Sequence, residues 1–377
     1  MSHPQTLSSS TSWATPAPGV DAHDGSWQIQ SLSSGTSLLQ ISRNQMPLDE
    51  EIHNCITAVT VSLAANQQAS FSLEINDPEL ELIDRAQGPF SEGQALDIAL
   101  RNADMGLSTV ISGTVGAISV ELDEDDGLRV EVEGYDALRA AAAGNIYMQY
   151  QDQWSDFHVL SAIADTLRLE LSIDSATRQA MSSAPVRARL QPGLSNLDFT
   201  SGLAEEYGCD FWVVRRTLYF RRETPGRPIQ LQRGLNLFRI AFRLNTNGQV
   251  SAVEGRAWDT QSASEVMARA LGKDRKGYWK HLSPLARTLL GDEAQALSLT
   301  VRDLAEAERK TEAEMRRLAR NLVTAEGSTY GNPEMTVGSV VELSNMGRFD
   351  GEYLVQTVRH SIDKDGFRTH FTLCLHV

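Results

Sequence analysis

The sequence holds only three cysteines in 377 residues, Cys55, Cys209 and Cys374, which are far apart and odd in number. That argues against a disulfide framework and against a four-ligand zinc site, both of which need closer, paired spacing. Each cysteine reads instead as a small buried apolar side chain, in a chain that folds in a reducing cytoplasm. No run of about 18 apolar residues occurs, so nothing reads as a membrane-spanning segment. Residues 1–35 lack the apolar core of an export signal and are Ser/Thr/Pro-rich, with Ser8-Ser9-Ser10-Thr11-Ser12, Pro16 and Pro18. They read as a flexible leader, unable to bury enough surface to offset its ordering entropy. Basic residues are in deficit, 34 against 49 acidic, for a formal charge of −15. Such a surface repels phosphate backbones and argues against sequence-specific nucleic-acid recognition.

Reactive motifs are missing as well. No His-x-x-x-His pair, no Gly-x-Ser-x-Gly elbow and no nucleophile with a recognisable base partner occurs. Gly113-Thr114-Val115-Gly116 lacks the lysine of a phosphate loop and reads as a turn. Asp123-Glu124-Asp125-Asp126-Gly127 precedes a strand and reads as a hairpin turn rather than a calcium loop. His360 and His370 are placed to face each other across a hairpin, with His376 on the face of His370, but no third ligand completes a metal site. Arg215, Arg216, Arg221 and Arg222 bracket Leu218-Tyr219-Phe220 and read as a solvated hairpin or one that docks on an acidic partner. The expectation is a chain without catalytic residues, cofactor or metal.

What is present is β-rich. At this length two or three domains are expected, and 41% apolar with 22% charged residues is a globular composition. Thr57–Leu63, Ala69–Ile75 and Leu128–Val132 alternate apolar and polar residues, as half-buried strands do. Residues 155–171 carry Phe157, Leu160, Ile163, Ala164 and Leu167 at helical spacing behind a Ser155 or Asp156 cap. Leu197–Tyr207 predicts a second helix stopped by Gly208, followed by a hairpin over Phe211–Phe220. Phe238, Ile240, Phe242 and Leu244 share one strand face, and Asn245-Thr246-Asn247-Gly248 predicts a hairpin returning through Val250–Trp258. Residues 303–323 predict a helix with a stripe of Leu304, Thr311, Met315, Leu318 and Leu322 and the pairs Glu306–Lys310 and Glu312–Arg316. A final hairpin turns at Asp363-Lys364-Asp365-Gly366, with Phe367, Thr369, Phe371, Leu373 and Leu375 on one face. Glu133-Gly134-Tyr135-Asp136 echoes Glu254-Gly255 followed by Trp258-Asp259, which suggests two copies of one barrel.

Several of these segments resemble the late control D protein family. Val159-Leu160-Ser161-Ala162-Ile163-Ala164, Gly193–Phe199, Leu203–Gly208 and Leu218-Tyr219-Phe220 carry the likeness. So do Gly134, Tyr135, Asp136, Trp258 and Asp259 at strand ends, and Pro333, Gly338, Val340-Val341, Phe349, Gly351, Tyr353, Val355 and His360 towards the C-terminus. That family supplies the central baseplate hub of contractile phage tails, with related hubs in tailocins, contractile injection systems and the N-terminal part of VgrG. The resemblance implies an α+β, β-rich fold of two tube-protein-like β-barrel domains, a small α/β insert and bracing helices. The corresponding spans are a 1–35 leader, a first barrel over 36–150, an insert over 151–233, and a second barrel over 234–377 with a helical insertion at about 262–325. It further implies a homotrimer that joins a hexameric inner tube to a separate trimeric spike, among other baseplate proteins and with a tape-measure protein or cargo as a further partner. Such a part assembles in the cytoplasm and ends in the phage-tail-like particle. The alternative reading from residues 155–222 is a peptidoglycan-binding or wall-active tail-associated enzyme.

Overall fold

The computed structural model describes residues 38–377 apart from 85–87, 103–105, 124–126, 151–153, 184–188, 260–263, 276, 291–293 and 299–303. The chain opens with β1 (Leu39–Arg43), β2 (Met46–Pro47) and the short α1 (Glu50–Cys55). Five strands follow: β3 (Ile56–Ala64), β4 (Ser70–Ile75), β5 (Ala95–Arg101), β6 (Leu107–Asp123) and β7 (Gly127–Tyr135). Their alternation sets the layers. Val59, Val61 and Leu63 of β3 are buried, while Thr60, Ser62 and Ala64 between them are half-exposed, so one face packs on a core and the other stays open.

An α/β unit comes next, with α2 (Leu138–Ala142), β8 (Ile146–Gln149), α3 (Asp156–Thr166), β9 (Glu170–Ile173) and α4 (Ser175–Ser183). It continues through β10 (Leu190–Leu194), α5 (Asn196–Tyr207), β11 (Asp210–Val214) and β12 (Thr217–Arg221). The expected helices and hairpin are there: Ser155 caps α3 in a capping box with His158, Ser195 caps α5, and β11 pairs with β12. This unit has its own apolar core, from Leu138 through Val159, Leu160 and Phe211 to Phe220.

The remainder holds β13 (Ile229–Gln232), β14 (Leu237–Leu244), β15 (Ala252–Asp259), β16 (Ser264–Leu271), α6 (Tyr278–His281), α7 (Pro284–Leu290) and β17 (Ala294–Ser298). Then come α8 (Leu304–Arg320), β18 (Val323–Tyr330), β19 (Val340–Ser344), β20 (Gly351–Asp363) and β21 (Gly366–Leu375). Thirteen strands form one sheet, in the order β14-β18-β21-β20-β3-β4-β7-β6-β5-β1-β2, with β19 and β13 branching from β20. Strands from both ends of the chain thus meet in one sheet, over one core that runs from Ile41 to Leu375.

Several expectations are corrected here. β14 does not form a hairpin with β15: it pairs with β18, while β15 joins β16 and β17 in a separate sheet under α8. Turn chemistry at 245–248 fixes a local reversal, with Gln249 N–H donating to the Thr246 carbonyl, but not the partner of the strand that follows. Residues 264–271, expected to be helical, are strand β16. Gly113-Thr114-Val115-Gly116 is not a turn; it lies inside β6, and the pairing with β7 slips at Gly116. In α8, Glu306 pairs with Lys310 at 3.2 Å as expected, but Glu312 turns to Arg275 and Arg316 donates to the Val377 carbonyl. Leu304 is exposed, and Ala307, Thr311, Met315 and Ala319 make the buried stripe.

Candidate functional site

The feature that organises the molecule is a repeat of strand pairing. β3, β4, β5, β6 and β7 recur, in the same chain order, as β14, β18, β19, β20 and β21. The β3–β4 ladder slips between Ile56 and Ala58, and the β14–β18 ladder slips at the matching place, between Leu237 and Arg239. The β6–β7 ladder slips between Val115 and Ala117, and β20–β21 between Val355 and Thr357. Beside each second slip the same loop lies on the strand. Val115 exchanges hydrogen bonds with Gln94 and Gly93, and Val355 with Ser339 and Gly338, all at 2.9 Å. Gly93 and Gly338 both sit at positive φ, 82° and 77°. A bulge re-aims a strand and adds twist, so matched bulges give the two units matched curvature.

The repeat corrects the sequence echo. Gly134 and Tyr135 end β7 in the large sheet with Asp136 just beyond, whereas Trp258 and Asp259 end β15 in the small one, so these are not equivalent strands. The counterpart of β7 is β21, and the legible signal is a different one. Asp123 and Gly127-Leu128-Arg129 close the first hairpin, as Asp363 and Gly366-Phe367-Arg368 close the second. Residues 124–126 of the acidic cluster lie outside the described residues, but Asp123 does pair with Gly127 across the hairpin end.

The other motif residues are packing positions. A side chain at Gly134 would overlap the Phe71 ring and the Thr114 carbonyl, so only glycine lets β7 lie under that ring. Arg139 stacks on the Tyr135 ring at 4.9 Å. Asp136 is buried and accepts from the Leu138 N–H at 3.1 Å, and burial pushes its carboxyl up to about 7 against its backbone donors. Phe349 stacks on Phe242 at 4.5 Å, and the Tyr353 hydroxyl donates to the Phe349 carbonyl at 2.9 Å, around the start of β20 at Gly351. Trp258 is exposed and away from this cluster.

His360 and His370 do not face each other. His360 opposes Thr369 and Arg359 opposes His370, which puts the two histidines on opposite faces of the hairpin. His360 is buried, with Nδ1 3.0 Å from Thr369 Oγ1, and burial lowers it to about 4. His376 bonds Glu223 and Glu352 elsewhere. Among the described residues no group of His, Cys, Asp or Glu forms a metal cluster.

The open face of the sheet is polar. Across β14, β18, β21, β20 and β3 it forms a concavity of about 780 Å³ that includes Ser62, Arg239, Glu326, Arg359, Arg368 and His370. Arg239, Arg359 and Arg368 have no carboxylate partner among the described residues, and Arg368 rests against the Phe238 ring at 5.5 Å. His370 is lowered, first by burial and then by Arg359 and Arg368. The first unit carries the opposite charge on this face, with Glu74, Glu131 and Glu133 on β4 and β7. The face is therefore basic on one unit and acidic on the other, which the net charge alone conceals.

The α/β unit meets this sheet through the buried Trp212 ring of β11 and through a polar joint. Asn66, in the β3–β4 turn, donates to Asp210 Oδ1 and accepts from the Phe211 N–H, both at 2.9 Å, and Arg320 of α8 reaches Asp210 Oδ2 at 2.6 Å. Inside the unit, Arg189 holds Asp156 and Glu206, and the Tyr207 hydroxyl donates to Asp156 at 2.7 Å. Among the described residues no helix is long and apolar enough to cross a membrane.

The fold has solved counterparts. The 43 kDa tail protein of prophage MuSo2 from Shewanella oneidensis matches 89% of this chain and 97% of its own, at 14% identity and a TM-score of 0.63. The tail protein from Neisseria meningitidis MC58 matches 90% and 96%, at 11% identity and 0.64. An Escherichia coli component of the type VI secretion system, itself similar in structure to the bacteriophage T4 tail proteins gp27 and gp5, matches 89% and 76%, at 12% identity and 0.51. At such identities the likeness is one of fold. No curated protein matches in sequence. The family model described as the Alg8 N-terminal domain matches residues 37–364, most of the sequence. The chain belongs to the Alg8 N-terminal domain family.

Proposed function

We propose that this chain is the central hub of a contractile tail or injection system, a late control D-like homotrimer that joins a hexameric inner tube to a separate trimeric spike. The duplicated strand unit carries the reading. A threefold part that must mate with a sixfold tube needs two equivalent surfaces per copy, and matched bulges in two five-strand units supply them. The solved counterparts from tails and a secretion system support the same reading. The strand units β3–β7 and β14 with β18–β21 would be the tube-like barrels of the hub, with the α/β unit from α2 to β12 as the insert and α8 as a brace.

The work of such a part is mechanical. Ladder hydrogen bonds run along every strand of the sheet, and the Asn66–Asp210–Arg320 joint locks insert and helix to it, so thrust passes through the chain without a reactive side chain. The chain is on this reading no enzyme, needs no cofactor or metal, and works in the tail-like particle after assembly in the cytoplasm. Its remaining partners are other baseplate proteins and a tape-measure protein or cargo. Buried Asp156 and half-buried Glu206 of the insert are both engaged by Arg189 and brace it. Co-expression with the neighbouring tube and spike proteins tests the reading: the hub predicts a complex containing all three. A chain that binds purified peptidoglycan and ignores tube and spike would instead be the wall-active protein.

A further inference from the structure

The two units meet inside one chain through β20 and β3, with Thr357 to Ile362 paired antiparallel to Ala64 to Val59. The repeat gives each of these strands a counterpart: β6 stands to the first unit as β20 does to the second, and β14 stands for β3. The counterparts have free edges. Among the described residues, β6 from Ala117 to Leu122 pairs only with β7, and β14 pairs only with β18 along Arg239–Leu244. An open strand edge is a template for another strand.

We infer that β6 of one copy pairs with β14 of a second copy, in the register of the internal junction. Shifting β20 to β6 and β3 to β14 by the matched bulges places Ala117–Leu122 opposite Asn245–Ile240. The core-facing row of the internal junction is Val358 with Leu63, His360 with Val61, and Ile362 with Val59. The corresponding row between copies is Ile118 with Leu244, Val120 with Phe242, and Leu122 with Ile240. All six are apolar. Val120 and Leu122 are 46% and 79% exposed in the single chain, where their counterparts His360 and Ile362 are buried, as strand residues awaiting a neighbour would be. On the polar face Ser119 falls opposite Arg243 and Glu121 opposite Ala241, so Glu121 lies diagonal to Arg239 and Arg243 of the other copy. Those charges are complementary. The interface is head-to-tail, which closes into a ring or runs on as a filament. This step rests on the trimeric hub reading for its closure: eight strands per copy, β14 through β6, taken three times give 24.

Cysteine cross-linking tests the register in the full-length chain. With both Ser119→Cys and Arg243→Cys in one chain, mild oxidation should give covalent dimers and trimers that reductant dissolves. Ser119→Cys with Ala241→Cys, two residues out of register, should give several-fold less. Leu122→Asp, at a site exposed in the single chain, should leave circular dichroism unchanged and reduce the assembled mass to that of one chain. An assembled wild type whose in-register pair does not cross-link, or cross-links no better than the offset pair, overturns the β6–β14 pairing and leaves the hub standing. A wild type that remains a single chain even with tube and spike present overturns both.

Discussion

Two buried groups, one in each strand unit, set opposing pH dependences. His360 is held near 4 by burial, below its ordinary 6.5, so the unfolded chain takes up a proton first as pH falls. Its contribution to stability is present above 6.5 and is lost as pH falls from 6.5 through 4, by about 3 kcal/mol. Asp136 is raised from 3.8 to about 7, so its contribution is present below 3.8 and is lost as pH rises through 7, by roughly 4 kcal/mol. Between pH 4 and 6.5 the two slopes oppose. Chemical denaturation across that range should show a shallow profile for the wild type. It should show stability rising with pH for Asp136→Asn and falling with pH for His360→Leu; parallel profiles for all three would refute the assignment. Gly134→Ala places a methyl group into the Phe71 ring and should destabilise by about 1–3 kcal/mol in the same assay.

At the scale of elements, the joint at Asp210 ties insert, sheet and α8 together, beside the buried Trp212 contact. Asp210→Asn leaves Arg320, 13% exposed at its side chain, without its carboxylate, and breaking such a pair costs about 3–5 kcal/mol. Hydrogen exchange should then rise in both β11 and α8; a rise in β11 alone would mean that the helix is held by its own contacts with β15 and β16. Elements whose signal is local were legible in the sequence. A cap at Ser155 or Asp156 announces α3, Gly208 stops α5, and the alternation of β3, β4 and β21 gives their faces. The partner of β14 was not legible, because residues 245–322 separate it from β18 whereas residues 65–69 separate β3 from β4. Nothing in the Ile240-Phe242-Leu244 pattern says which strand will cover it.

At the scale of the whole molecule, two units with matched pairing share little beyond the loop glycines Gly93 and Gly338 and the Asp and Gly-apolar-Arg that close each long hairpin. Alternation needs only apolar and polar classes, so one core position is filled by Ile118 in the first unit and Val358 in the second, and another by Gly134 and Leu373. A bulge leaves no residue signature either, being Gly116 in one ladder and Gln356 in the other. The echo at Trp258-Asp259 is misleading because a motif this short carries no record of its pairing partners. The candidate interface was not legible: Gly113–Gly116 reads as a turn rather than the middle of a long strand, and the exposure of Val120 and Leu122 follows from the fold. Native mass spectrometry of the chain co-assembled with tube and spike proteins counts the copies. The trimeric hub requires three copies of this chain for every six tube subunits in the first ring and three spike subunits, and a complex with one or six copies would rule it out.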